Sequence, residues 1–174
     1  QGRTFSLRGG ADVPDRSFDE HMVLEQQDGR LRMLVRTHYG IGQSFSEDSG
    51  QTWSAGADAG LGGPCSRFFI GRLRSGRVLL VNHVAFKGRN NLTVLLSDDD
   101  GRTWPYQLLL DERDHVSYPD ATETDDGRIL IAYDRERYAA REILMATVTE
   151  EDIKAGHCVS GQCKLKSVIN QASG

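Results

Sequence analysis

Six polar residues stand at matched offsets from three tight turns, and they carry the chemistry expected of this chain. The turns are Asp28-Gly29, Ser75-Gly76 and Asp126-Gly127. Eight residues before them lie Glu20, Arg67 and Tyr118, and eight after lie Arg36, His83 and Asp134. Carboxylates, a phenol, an imidazole and guanidinium groups are the set from which acid–base, nucleophilic and anion-binding sites are built. A position with a purely packing role is more often apolar or small. The competing expectation is a buried polar network that only ties neighbouring sheets together.

The offsets have meaning only if strands flank the turns. Asp-Gly between two β-rich runs is a strong hairpin signal, because glycine takes the positive φ that the turn needs. The hairpin recurs: its turns stand 47 and 51 residues apart, and SEDSGQTW at Ser46 returns as SDDDGRTW at Ser97, 51 residues on. A period near 50 built of short strands predicts propeller blades, each a small antiparallel sheet. The class is therefore all-β, with about three blades over 18–64, 65–111 and 112–170. Expected strands are 18–26, 31–38 and 41–46; then 67–73, 77–84, 92–97 and 106–110; then the hairpin 116–137 with 142–148 and an outer strand at 165–170. Residues 1–8 suggest an edge strand, 55–64 a glycine-rich crossover, and 150–155 one helical turn. The third turn motif is expected, decayed, from Thr149. Propellers hold ligands at one end of a central channel, and residues an even number apart on a strand share a face. The six polar residues would then form two rings at the channel mouth.

In Ser46-x-Asp48-x-Gly50-x-Thr52-Trp53 and Ser97-x-Asp99-x-Gly101-x-Thr103-Trp104 the chemistry is local. Aspartate can accept amide N–H bonds across the turn, glycine can turn left-handed, and tryptophan can bury its ring. The expectation is a structural turn at the far end from Tyr118, set against a calcium or ligand site.

Bulk composition narrows the classes. With 38% hydrophobic and 26% charged residues, the 174-residue chain has a globular composition and enough length for a core. A formal charge of −4 with no basic stripe argues against nucleic acid as a partner. No apolar run approaches the roughly 18 residues of a membrane span. Cys158 and Cys163 flank a turn-like VSGQ and can close a small disulfide, or can remain thiols like Cys65. The spacing is a poor zinc signature, and no metal site is expected.

The paired SxDxGxTW motifs at blade spacing, with SRFFIGRL, GRNNLTVLLSDDDGRTWP and SYPDA between and after them, resemble the sialidase (neuraminidase) superfamily of BNR or Asp-box six-bladed β-propellers, bacterial exo-α-sialidase-like proteins above all. The resemblance runs from Phe18 onward and matches the later half of such a propeller. It implies a glycoside hydrolase acting on a terminal, acidic sugar with retention, needing no cofactor. In that family a glutamate opens an inner strand, an arginine follows sixteen residues later, and a tyrosine follows a later box. Glu20, Arg36 and Tyr118 match. By resemblance Tyr118 is the nucleophile, Glu20 the base that takes its proton, and Arg36 the grip on the substrate carboxylate. Two of the family's three arginines and its acid/base aspartate lack counterparts: the position before the box reads Leu95, with Arg67 the expected replacement and Arg89 a second candidate. Taken together at repeat offsets, with the tyrosine–glutamate pair in family register, the six residues favour a site over a packing network. His38 is expected to line the pocket, and Arg135 and Arg137 its rim, whereas His21 has no expected role.

The alternatives are a non-catalytic glycan-binding propeller, which has no use for an activated tyrosine, and a polysaccharide lyase acting on uronic acids. The resemblance also implies secretion or a periplasmic location. Three blades leave end sheets uncovered, with apolar residues of 67–73 or 129–133 expected at the surface. The remaining blades are thus expected from a longer polypeptide or a second copy of the chain.

Overall fold

The structure, a computed structural model, describes residues 3–172. Its strands run β1 (Arg16–Glu25), β2 (Leu31–Thr37), β3 (Gly40–Ser46) and β4 (Ala57–Asp58) in the first sheet; β5 (Phe69–Arg72), β6 (Val78–His83), β7 (Leu92–Ser97) and β8 (Tyr106–Asp111) in the second; β9 (Val116–Glu123), β10 (Ile129–Arg135), β11 (Glu142–Val148) and β12 (Lys164–Gln171) in the third. Each sheet is an antiparallel meander in chain order. The first strands of the three sheets, β1, β5 and β9, are neighbours and form the inner edge. This is an all-β propeller segment of three blades.

Three turns of one geometry generate it. Gly29, Gly76 and Gly127 have φ of 85°, 87° and 80°, left-handed values that glycine adopts without the Cβ penalty. Each donates its N–H to the carbonyl three residues back, on Gln26, Leu73 and Thr124, at 2.9, 2.9 and 3.0 Å. The segments on either side alternate in and out as strands. In the middle sheet β6 is buried along its whole length: Val78 and Leu80 face the first sheet with Leu24, Leu34, Ile41, Phe68 and Ile70, while Leu79 and Val81 face the third with Ile129, Ile131, Leu144 and Ala146. An unbroken apolar run such as VLLV is what a strand covered on both faces requires.

Several expectations are corrected. Among the described residues, 3–8 form no strand; residues 1 and 2 lie outside them. The glycine-rich 55–64 is not a bare crossover, since β4 within it pairs with β3 through Gly42 and Gln43. The inner strand of the second sheet is shorter than expected, with Arg67 and Phe68 before it. The apolar residues of 67–73 and 129–133 are not at the surface: Phe68, Ile70, Ile129, Ile131 and Tyr133 are all buried, because these strands face neighbouring sheets. The exposed apolar side chains lie elsewhere, among them Ile143, Val168 and Ile169 in the third sheet.

Both aspartate turns lie at the opposite end of the sheets from Tyr118 and are closed by their own chemistry. Asp48 Oδ1 accepts the amides of Gln51 and Thr52 at 2.9 and 2.8 Å, and Thr52 Oγ1 donates to Oδ2 at 2.6 Å. Asp99 repeats this with Arg102, Thr103 and the Thr103 hydroxyl at 3.1, 2.8 and 2.6 Å. The second turn also links sheets: Gln27 N donates to Asp100 at 3.0 Å and Arg32 Nη1 to the Gly101 carbonyl at 2.9 Å.

The third turn departs from the pattern one residue earlier than expected. Register places Val148, opposite Ile129, where Ser46 stands opposite Leu31 and Ser97 opposite Val78. Valine has no hydroxyl to close the turn. A short helix α1 (Glu150–Ala155) replaces it, capped by Thr149 and Asp152. The buried Asp152 carboxylate accepts the amides of Thr149, Val159 and Ser160 at 2.8, 2.8 and 2.7 Å, and the hydroxyls of Thr149 and Ser160 at 2.8 and 2.7 Å. It thereby fastens the loop that a Cys158–Cys163 disulfide closes, while Cys65 stays free. Glu150 takes over the link to the preceding sheet, accepting from Arg77 Nη1 at 2.8 Å and from the Ser75 hydroxyl.

Asp152→Ala strands several part-buried donors at once and is expected to cost about 2 kcal/mol in urea unfolding. The Asp48 and Asp99 carboxyls, held by the Thr52 and Thr103 hydrogen bonds, sit at about 2 against an ordinary 3.8. Folded, they bind fewer protons than unfolded, so their contribution is complete above pH 3.8 and lost as pH falls to about 2. An Asp48→Asn/Asp99→Asn double variant should show a flatter fall in stability over that window.

Candidate functional site

Two irregular stretches of inner strand build the site. In β1, Arg16 pairs with Thr37 and His21 with Val35, so residues 17–20 stand opposite Arg36 alone. Phe18 and Asp19 turn left-handed there, with φ of 62° and 47°. In β9, Ser117 pairs with Asp134 and Asp120 with Ala132, so Tyr118 and Pro119 stand opposite Tyr133. Tyr118 has φ 55°, and Pro119 has no N–H for the ladder to lose. A left-handed residue other than glycine costs about 1–2 kcal/mol, so surrounding contacts must hold it. One such anchor is buried Tyr133, whose hydroxyl donates to Asp111 Oδ2 at 3.0 Å; Arg113 grips the same carboxylate at 2.9 and 2.6 Å.

The two bulges re-aim Glu20 and Tyr118 toward Arg36. The Tyr118 hydroxyl donates to Glu20 Oε1 at 2.5 Å, and Arg36 Nη1 donates to Glu20 Oε2 at 2.7 Å and to the Tyr118 oxygen at 3.3 Å. Arg36 Nη2 donates to the Cys65 carbonyl at 2.9 Å, and Arg89 Nη2 reaches that same oxygen at 3.2 Å. The Arg36 side chain is only 4% exposed, that of Glu20 23%. Burial works to raise the Glu20 carboxyl, but hydrogen bonds from Tyr118 and Arg36, with the charges of Arg36 and Arg67, outweigh it and leave it below the ordinary glutamate range. Burial likewise works against the Arg36 charge; bonds to Glu20 and Cys65 reverse it and hold the guanidinium above its ordinary value. An ionised carboxylate against a phenol hydroxyl can take that proton, and clustered guanidiniums suit an anion.

The remaining sequence candidates divide. Arg67 borders the cluster, its Nη2 3.7 Å from Asp120 Oδ2. Asp134 joins it indirectly: its carboxylate accepts the Ser117 hydroxyl at 2.6 Å and Arg137 at 2.7 and 2.6 Å, and Arg137 lies over the Tyr118 ring, 4.5 Å from the centroid. Arg137 is thus at the site, while Arg135 instead pairs with Glu142 at 2.9 Å across β10 and β11. His83 is not brought to the trio. It is buried at the end of β6 with Nδ1 2.7 Å from the Asn90 carbonyl, and burial pushes its pKa down. His38 is exposed in the turn between β2 and β3 and touches none of the three; His21 bonds the Asp19 carbonyl at 2.8 Å. Leu95 packs at the edge of the first core. Sequence reasoning ranked Arg89 low and missed the Cys65 carbonyl, because a backbone acceptor leaves no trace in residue types. Phe18 was also missed: it is 79% exposed, with its ring 4.7 Å from the Arg36 guanidinium carbon.

Solved structures share this fold. Hadza microbial sialidase Hz136 matches with a TM-score of 0.71 at 25% identity, over 87% of this chain and 31% of that one. NanB sialidase from Streptococcus pneumoniae matches with a TM-score of 0.69 at 21% identity, over 87% and 26%. The α-L-arabinofuranosidase Arb93A from Fusarium graminearum matches with a TM-score of 0.55 at 18% identity, over 85% and 51%. The chain thus spans between about a quarter and a half of the length of these proteins. No curated protein sequence matches it. The profile of the BNR repeat-like domain matches residues 16–131. With that match over most of its length and sialidase-like blades throughout, the chain belongs to the BNR repeat-like family of the sialidase superfamily.

Proposed function

We propose that this chain carries the nucleophile and base of a retaining glycoside hydrolase acting on a terminal, acidic sugar. The observation that supports it is the Glu20 carboxylate held between Tyr118 and Arg36, with the phenol hydroxyl 2.5 Å from Oε1. A phenol is a weak nucleophile near neutral pH without a base in contact. The Tyr118 oxygen attacks the anomeric carbon, its proton passes to Glu20 Oε1, and the bond to the leaving group breaks. Water then displaces the tyrosine from the glycosyl carbon and sheds a proton that reaches the departed leaving group through solvent; Glu20 returns its proton to the phenol oxygen, and the two inversions sum to retention. Arg36, Arg89 and Arg67 make the surroundings cationic, which suits an anionic sugar; that sugar would repel a carboxylate nucleophile but not a neutral phenol. That structural relatives are named as a sialidase and an arabinofuranosidase supports this reading.

A non-catalytic glycan-binding propeller is the second reading. The gathering of Arg36 and Arg89 at the Cys65 carbonyl supports it, since clustered guanidiniums suit an acidic glycan whether or not it is cleaved. The readings separate on Tyr118, which only hydrolysis uses as a reacting atom.

Aryl glycosides are the suitable probe, sialosides and uronides included, because an aryloxide departs without a proton donor. The chain should release the phenol, and Tyr118→Phe should lose roughly three orders of magnitude in kcat with unchanged circular dichroism. Turnover at the original rate in that variant would leave the binding reading. Because Glu20 lies below the ordinary glutamate range, kcat/KM should hold into mild acid and fall only below the pH at which a free glutamate titrates.

A further inference from the structure

We infer that Arg137 is a positioning residue for Tyr118, its guanidinium over the ring favouring the negative charge that builds on the phenol as the proton passes to Glu20. The inference rests on the hydrolase reading above. Arg137 has its Nε–Nη2 edge taken by Asp134: Nε donates to Oδ2 at 2.7 Å, and Nη2 lies 2.6 Å from the same oxygen. Its guanidinium carbon lies over the Tyr118 ring, 4.5 Å from the centroid. A cation on that axis attracts the ring's negative face, and more strongly once the ring carries charge.

The arrangement is built from the strand that carries the tyrosine. Asp134 Oδ1 accepts the hydroxyl of Ser117, the residue before Tyr118, while Oδ2 holds Arg137. One carboxylate therefore fixes both the backbone entering the bulge and the group that stacks on the ring. Tyr118 needs such support, because its left-handed φ of 55° takes it out of ordinary strand pairing. The charged groups around it are Glu20 from β1, Arg36 from β2, Arg67 before β5, Asp120 on its own strand, Asp134 from β10, and Arg137. Of these, Glu20 and Arg36 meet the hydroxyl, and Arg137 lies over the ring.

Arg137→Met keeps the length and removes the charge. It is expected to lower kcat on an aryl glycoside about tenfold, the equivalent of about 1.4 kcal/mol, with KM within twofold. Arg137→Lys should recover most of the loss, and Asp134→Asn, which frees an intact Arg137, should reproduce part of it. A rise in KM with kcat unchanged would make Arg137 a substrate contact and overturn the inference, as would unaltered kinetics. A second readout needs no turnover. In protein labelled with ¹³C-tyrosine, the Tyr118 ring resonance, assigned by its disappearance in Tyr118→Phe, should move in Arg137→Met and return part of the way in Arg137→Lys. If it moves while the unmodified chain cleaves no glycoside, the positioning contact stands and the hydrolase reading fails. If it does not move, the positioning role is wrong.

Discussion

A guanidinium removed from water must find its counter-charge inside the protein, and the arrangement at the channel end follows from how Arg36 does so. Leaving such a charge unpaired costs several kcal/mol. Arg36 satisfies it with one contact from each sheet region: Glu20 from the first, the Cys65 carbonyl from the segment leading into the second, and the Tyr118 oxygen from the third. The same residue is thus the joint at which three blades meet and the reason that a carboxylate and a phenol face each other.

The joint requires irregular backbone. A regular β1 would present alternate residues opposite β2, and Glu20 would have an ordinary cross-strand place. Instead four residues crowd opposite Arg36, two of them left-handed, and in β9 two residues face Tyr133. The rigid parts on either side pay for this. Tyr133 is pinned to Asp111 in the neighbouring sheet, and the buried run of β6 holds the two cores apart at fixed spacing. Strain of this kind gathers where a fold serves something besides its own stability.

The fold was legible because it is periodic. Turn glycines, aspartate turns and apolar runs repeat near every 50 residues, and each repeat reinforces the same strand assignment. Counting outward from the turns also brought Glu20, Arg36 and Tyr118 to one end. The counting failed for His83, which has the right offset but lies where β5 and β6 pair with no bulge to turn a side chain toward the channel. It failed for Arg89, which reaches the cluster from the loop after β6, where no strand period applies. Arg137 was recognisable only as a charge near the rim; the stacking depends on Asp134, whose bonds to Ser117 and Arg137 arise from tertiary placement. The switch from the third aspartate turn to a capped helix was half legible, in the TEED that follows Val148, but the one-residue register required the pairing of β10 with β11.

At the opposite end, the links between sheets have a direction. The acceptors at Asp100 and Gly101 in the second sheet take donors from Gln27 and Arg32 in the first, and Glu150, after β11, takes donors from Ser75 and Arg77 in the second. In each of these the donor comes earlier in the chain, whereas the Glu25 carbonyl of the first sheet takes Arg72 of the second at 2.7 Å. A sheet leaving the ribosome therefore meets partners that are already formed. Assembly can follow synthesis blade by blade, each new carboxylate locking the blade before it, which keeps exposed strand edges short-lived while the chain is still growing.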